Sequence, residues 1–105
     1  IKKLKKQGKT LHCYGASTKG NVLLQYFNID NKLIEFAAER NQKKFNLFTP
    51  GTKIKIISEK KSRSYNPDYY LVLPWHFRKE ILKREKFIRK KGTKFIFPLP
   101  IVNTV

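Results

Sequence analysis

The octapeptide Tyr14-Gly-Ala-Ser-Thr-Lys-Gly-Asn21 joins a short apolar run, Thr10 to Tyr14, to an apolar-periodic segment holding Val22, Leu23, Leu24, Tyr26 and Phe27. That order reads as strand, glycine-bounded turn, helix. Such a turn aims backbone N–H groups and the positive end of a helix dipole outward, which suits an anion, commonly a phosphate. Gly15 and Gly20 let the backbone bend sharply and approach a ligand, and Lys19 adds a full positive charge. Ala16, Ser17, Thr18 and Asn21 complete the candidate binding turn. Its glycines stand five apart, so it is neither the G-x-G-x-x-G dinucleotide fingerprint nor a Walker loop. The plainer alternative is a tight turn whose glycines serve packing alone.

Two further groups carry chemistry. Glu39 stands where a nucleotide fold puts an acid for ribose hydroxyls, though it also suits an ion pair with Arg40 or Lys43. Leu73-Pro-Trp-His-Phe-Arg78 gathers an indole, an imidazole and a guanidinium where a strand meets a helix. Trp75 suits stacking on a base or sugar, His76 a ligand contact or a place near the helix start, and Arg78 a phosphate clamp. Alternatively Trp75 and Phe77 are core wedges and Arg78 is solvated. His12 lies within the first strand as a packed residue. Two histidines and one cysteine at scattered positions give no metal-ligand spacing. Ser17 beside Lys19 lacks the base and orienting group that a nucleophile needs. On its own residues the chain reads as a binder with no catalytic set.

The elements that must hold these residues follow from the hydrophobic pattern. Ile1 to Gly8 reads as the last turns of a helix ended by Gly8, as expected of a domain excised from a larger chain. Strands are expected at 9–14, 33–38, 53–57, 68–74 and 93–97, the third exposed or at an edge, the fourth buried and parallel. Helices are expected at 19–27, 58–64 (capped by Ser58) and 76–91 (closed by Gly92), and a long loop at 42–52. Alternation of strand and helix argues a parallel α/β sheet. Ligands of such sheets bind outside the carboxyl ends of the strands. That rule gathers Gly15–Asn21, Glu39–Asn41, Pro74–Arg78 and Pro98–Pro100 on one rim.

With 105 residues, 40% of them apolar, the chain is one domain able to bury a core. No apolar run approaches the ~20 residues of a membrane helix, no secretory signal is visible, and a single cysteine fits a reducing cytoplasm. The net charge of +17 raises nucleic acid as a partner. Lysines far outnumber arginines and are spread along the chain, which points instead to non-specific polyanion binding at low salt and to an AT-rich coding bias.

Several motifs together resemble one family. Tyr14–Asn21 with Leu23-Leu24, Glu39-Arg-Asn41, Thr49-Pro-Gly-Thr52, Leu73-Pro-Trp-His-Phe77 and Phe95-Ile-Phe-Pro-Leu-Pro100 occur in that order. The chain resembles the carboxyl-terminal domain of the SAM-dependent C-methyltransferases that act on nucleotide-linked deoxysugars, roughly from Gly8 to Val102. The resemblance implies a Rossmann-like three-layer α/β sandwich with a mostly parallel sheet of about five strands. It implies that Gly15–Asn21, Glu39, Trp75, His76 and Arg78 hold a nucleotide-diphosphate sugar. It also implies that SAM and zinc belong to upstream domains absent from this chain, so that the domain alone is not catalytic and no cofactor is expected within it. Glu39 and His76 stand where the family more often has Asp and Asn. A small basic nucleic-acid-binding domain is the alternative function, and a Rossmann module kept for interdomain packing is a third.

Overall fold

The computed structural model describes residues 2–98 and 102–105, and within these it leaves the side chains of Lys2, Lys3, Thr18, Lys19 and Asn103 undescribed. A short helix α1 (Lys2–Lys6) leads into β1 (Leu11–Tyr14), α2 (Thr18–Tyr26) and β2 (Phe36–Glu39). Then come β3 (Lys55–Ser58), α3 (Glu59–Ser64), β4 (Tyr69–Val72), α4 (Arg78–Arg84), α5 (Lys86–Lys90), β5 (Lys94–Phe97) and β6 (Asn103–Thr104). The six strands form one sheet in the order β3-β2-β1-β4-β5-β6. All neighbours are parallel except β5 and β6.

Period-two alternation sorts the core into two layers. Leu11, Cys13, Ala37, Ile56, Leu71 and Ile96 face Leu24 of α2 on one side. Tyr14, Ala38, Tyr70, Val72, Phe95 and Phe97 face Ile81 of α4 and Ile88 of α5 on the other. The result is the expected Rossmann-like α/β sandwich. On the α2 side an apolar hollow of about 460 Å³ remains beside Leu23, Leu71, Leu73 and Ile96. Among the described residues no helix is long and apolar enough to cross a membrane.

Local chemistry explains the boundaries. Gly8 closes α1 with φ +77°, and Gly92 follows α5 with φ +104°, the left-handed conformation that favours glycine. Ser17 caps α2 by accepting from the Gly20 N–H, and Ser58 caps α3 by accepting from Lys61 N–H, as expected for Ser58. The third strand lies at a sheet edge, yet Ile56 and Ile57 are buried and therefore not an exposed pair. Residues 46–49 run back along its outer side, with Asn46 N–H donating to Ile56 O at 2.9 Å and Ile56 N–H to Leu47 O at 2.8 Å.

Four expectations are corrected. The second strand begins at Phe36, three residues late, because Asp30 folds the preceding segment into turns through Lys32 N–H at 2.9 Å and Ile34 N–H at 3.0 Å. The loop at 42–52 contains a 3₁₀ turn, Gln42–Lys44, capped by the Asn41 side chain. The single helix at 76–91 is instead a 3₁₀ turn (Trp75–Phe77) followed by α4 and α5, which break at Glu85 (φ −96°, ψ 24°). The last strand is followed by the antiparallel β6, for which a two-residue element gives no period to read.

Candidate functional site

Where the strand order reverses on either side of β1, the carboxyl ends of the strands open into a cleft of about 360 Å³. Tyr14 and Gly15 bring β1 to it, Glu39 and Arg40 follow β2, Glu59 follows β3, and Pro74 follows β4. Phe77, Glu80, Ile81 and Arg84 form the wall that descends from the 3₁₀ turn into α4. Gly15 makes the turn at φ +96°, and a side chain there would meet Pro74 Cδ at 3.1 Å. Phe77 is 52% exposed, an aromatic surface on this wall. Three of the seven acidic residues of a +17 chain, Glu39, Glu59 and Glu80, line this one cleft. The lining of the cleft is thus a mixture of hydrogen-bond acceptors and guanidinium donors, unlike the basic exterior.

Beneath the cleft lies an ionic network. Glu85 is buried and accepts from Arg63 Nε at 2.7 Å, Arg63 Nη2 at 2.6 Å and the Tyr14 hydroxyl at 2.6 Å. Burial works against its carboxylate, but the Arg63 fork, the Tyr14 hydroxyl and the two guanidinium charges outweigh it and hold the carboxyl below its usual range. Burial, reinforced by the bond to Glu85, raises the Tyr14 phenol, which therefore stays protonated. Arg84 donates to the Tyr14 hydroxyl through Nε and Nη2.

The sequence-derived site residues divide. Gly15 and Glu39 reach the cleft, where Glu39 also accepts from Arg40 N–H at 3.2 Å. Gly20 packs against Leu73: an added Cβ would lie 2.7 Å from Leu73 Cβ, so its missing side chain serves the helix–strand contact. The Ser17 hydroxyl is engaged by Gly20 N–H at 3.0 Å, and Ala16 O accepts from Lys44 Nζ at 3.2 Å. Asn21 is occupied at both ends, donating to Pro50 O at 2.7 Å and accepting from Thr52 Oγ1 at 2.6 Å. The turn at Thr49–Thr52 is thereby braced on α2. The side chains of Thr18 and Lys19 lie outside the described residues, as do Leu99 and Pro100 of the Pro98–Pro100 rim.

In the second cluster, Trp75 is half-buried against the α4-side core and His76 is exposed, its ring 4.3 Å from that of Phe77. The Arg78 guanidinium carbon lies 4.7 Å from the centre of the Phe97 ring, and Arg78 does not line the cleft. Sequence reasoning missed Tyr14, Glu59, Glu80 and Arg84. Two signals in the sequence bear on Arg84 and on the network behind it, and none on Tyr14, Glu59 or Glu80. Phe77, Ile81 and Arg84 recur at helical spacing, and Glu85 is a carboxylate at a core position of the helix pattern.

The chain matches the family described as "C-methyltransferase C-terminal domain" over residues 1–100. The chain belongs to this family. The match takes in every strand that lines the cleft. A curated relative, the C-methyltransferase NovU of Streptomyces niveus, is 38% identical over 93 residues. That alignment covers 89% of this chain and 22% of NovU, so the chain spans about a fifth of the relative's length.

Proposed function

We propose that this chain is the substrate-binding domain of a C-methyltransferase acting on a nucleotide-linked sugar. The observation that supports it best is the cleft at the reversal of strand order, which joins Gly15 after β1 to Glu39 after β2. A close backbone approach at the first βα turn and an acceptor at the end of the second strand suit a nucleotide's phosphate and sugar hydroxyls. Phe77 offers a stacking surface for the base or sugar ring. Glu39 is the acceptor for a sugar hydroxyl, while Arg40 and Arg84 are the donors within reach.

In this reading SAM is held by another segment of a longer polypeptide, which is also the domain's partner, and the enzyme works in the cytoplasm. Zinc likewise belongs elsewhere: this chain has one cysteine and two histidines, and Cys13 and His12 are buried in β1. The domain's task is to hold and orient the substrate, with the methyl donor supplied from the neighbouring segment.

A second reading, polyanion binding, is favoured by Lys79, Lys83, Lys86 and Lys90, which are exposed at helical spacing along α4 and α5 beside Phe87, 80% exposed. An amide-shift NMR titration with dTDP at physiological salt, with a short DNA duplex in parallel, separates the two. The substrate reading expects saturable shifts at Gly15, Glu39, Arg40 and Phe77. Shifts spread over the lysine-bearing helices with the duplex alone, and fading as salt rises, would replace it with the second.

A further inference from the structure

Five side chains under the cleft close into a ring. Arg63 binds Glu85 through two nitrogens, Glu85 accepts from the Tyr14 hydroxyl, and that hydroxyl accepts from Arg84. Arg84 Nη2 then lies 3.4 Å from Glu59 Oε2, and the other oxygen of Glu59 lies 3.4 Å from Arg63 Nη2. Three parts of the fold supply the ring: the end of β1, helix α3, and the joint where α4 breaks into α5 at Glu85. The break makes Glu85 part of the core, while Arg84 lines the open cleft.

The lengths of these contacts distinguish the two arginines. Charge-assisted N–H···O bonds run at about 2.7–2.9 Å. Arg63 meets Glu85 at 2.7 and 2.6 Å, so its fork is spent on a carboxylate. Arg84 approaches Glu59 and Glu85 only to 3.4 and 3.5 Å. Its close partner is the uncharged phenol of Tyr14, over whose ring its guanidinium carbon also sits at 5.5 Å. Arg84 is therefore aimed by the phenol and only loosely paired with two carboxylates. None of these contacts uses Nη1, and the side chain is 39% exposed on the cleft wall. By contrast Arg78 is laid against Phe97.

We infer that Arg84 is the phosphate anchor of the cleft and that Tyr14 and Glu85 are its positioning residues. The inference rests on the nucleotide-sugar reading of the same site. A guanidinium held in one orientation presents its Nη1 donors to a phosphoryl oxygen at a fixed angle, which a lysine cannot do. The carboxylates of Glu39, Glu59 and Glu80 repel a bare anion, so a phosphate enters only when attached to a group whose hydroxyls those carboxylates accept. The ligand class is a phosphate ester of a hydroxylated moiety, in which each half makes the other admissible.

Calorimetric titration of the chain with dTDP, thymidine and inorganic pyrophosphate tests this, with a melting curve on every variant. Arg84→Ala is expected to weaken dTDP about tenfold or more and to leave thymidine unchanged, as loss of a hydrogen bond to a charged group implies. Arg84→Lys keeps the charge but not the fixed Nη1 donors, and is expected to carry most of the same loss; it is the deciding variant if Arg84→Ala does not fold. Tyr14→Phe deletes only the hydroxyl. It is expected to weaken dTDP about threefold in the parent and not at all beside Arg84→Ala, a non-additivity that a merely structural role would not produce. Equal dTDP affinity in parent and folded Arg84 variants would overturn the anchor and spare the nucleotide-sugar reading. Pyrophosphate bound as tightly as dTDP, and lost with Arg84, would keep the anchor and sink that reading. Absence of binding by all three probes in the parent would overturn both.

Discussion

His12 is a histidine without water. Its Nδ1 meets Ser62 Oγ at 2.7 Å, and that oxygen meets the Tyr70 hydroxyl at 2.7 Å, so all three buried polar groups are satisfied by one another. Burial lowers its pKa to about 4, with nearby Glu35 opposing and Lys5 adding to the shift. The unfolded chain takes up a proton near pH 6.5 and the native protein only near pH 4, so stability rises with pH across that window and falls as acid is added. Between pH 6.5 and 4 the protein is expected to lose ~3 kcal/mol from this one residue. Chemical unfolding at stepped pH checks it: His12→Gln flattens the curve above pH 5. Glu85, whose carboxyl is held low, acts in a different window, its contribution lost only as pH falls below the usual carboxylate range. The sequence placed His12 as packed within the first strand and Glu39 on the rim at the end of the second, because a strand position and a strand end are both readable from alternation. It favoured Arg78 over Arg84 because Trp75, His76 and Arg78 are neighbours along the chain, whereas the cleft selects residues by the turn of a helix.

Among the elements, α2 shows how one atom fixes a packing distance. Gly20 lets the first turn of α2 lie on Leu73 just beyond β4; a methyl group there would sit 2.7 Å from Leu73 Cβ, a backbone-anchored carbon that cannot swing aside. Gly20→Ala is therefore expected to destabilise the protein by ~1–3 kcal/mol, despite the better helix propensity of alanine. Urea unfolding measures it, and an unchanged or raised midpoint would show that Leu73 yields. The parallel strands were legible because each is a short apolar run between turn signals. The division of the 76–91 segment was not, since its apolar spacing continues across the break at Glu85, and what turns the chain there is the set of partners waiting for a carboxylate. Likewise the late start of β2 depends on Asp30, whose hydrogen bonds to the following turn compete with the sheet.

Across the whole molecule, charge is unevenly divided. With Glu39, Glu59 and Glu80 around the cleft and Glu85 below it, three acidic residues remain to offset the 21 Lys and Arg left once Arg40, Arg63 and Arg84 are counted with the cleft. Self-repulsion of that surface opposes the compact state and is screened by salt. Raising NaCl from about 20 to 300 mM is expected to stabilise the protein by ~1 kcal/mol, or roughly 4–8 °C in Tm for a domain of this size. A scanning melt in NaCl tests it, and a falling Tm would show that the ring beneath the cleft, weakened by the same ions, outweighs the lysines. The order of the strands carries one more consequence. The first of the described strands is the central one, paired to β2 on one flank and, from Leu11 to Tyr69, to β4 on the other. During synthesis β1 cannot be flanked on both sides until Tyr69–Val72, 58 residues further along, have emerged, so the centre of the sheet closes late. The clasp that then forms, Thr10 N–H to Asp68 at 2.8 Å and Asp68 N–H to Thr10 at 2.9 Å, fastens the first of these strands to the fourth.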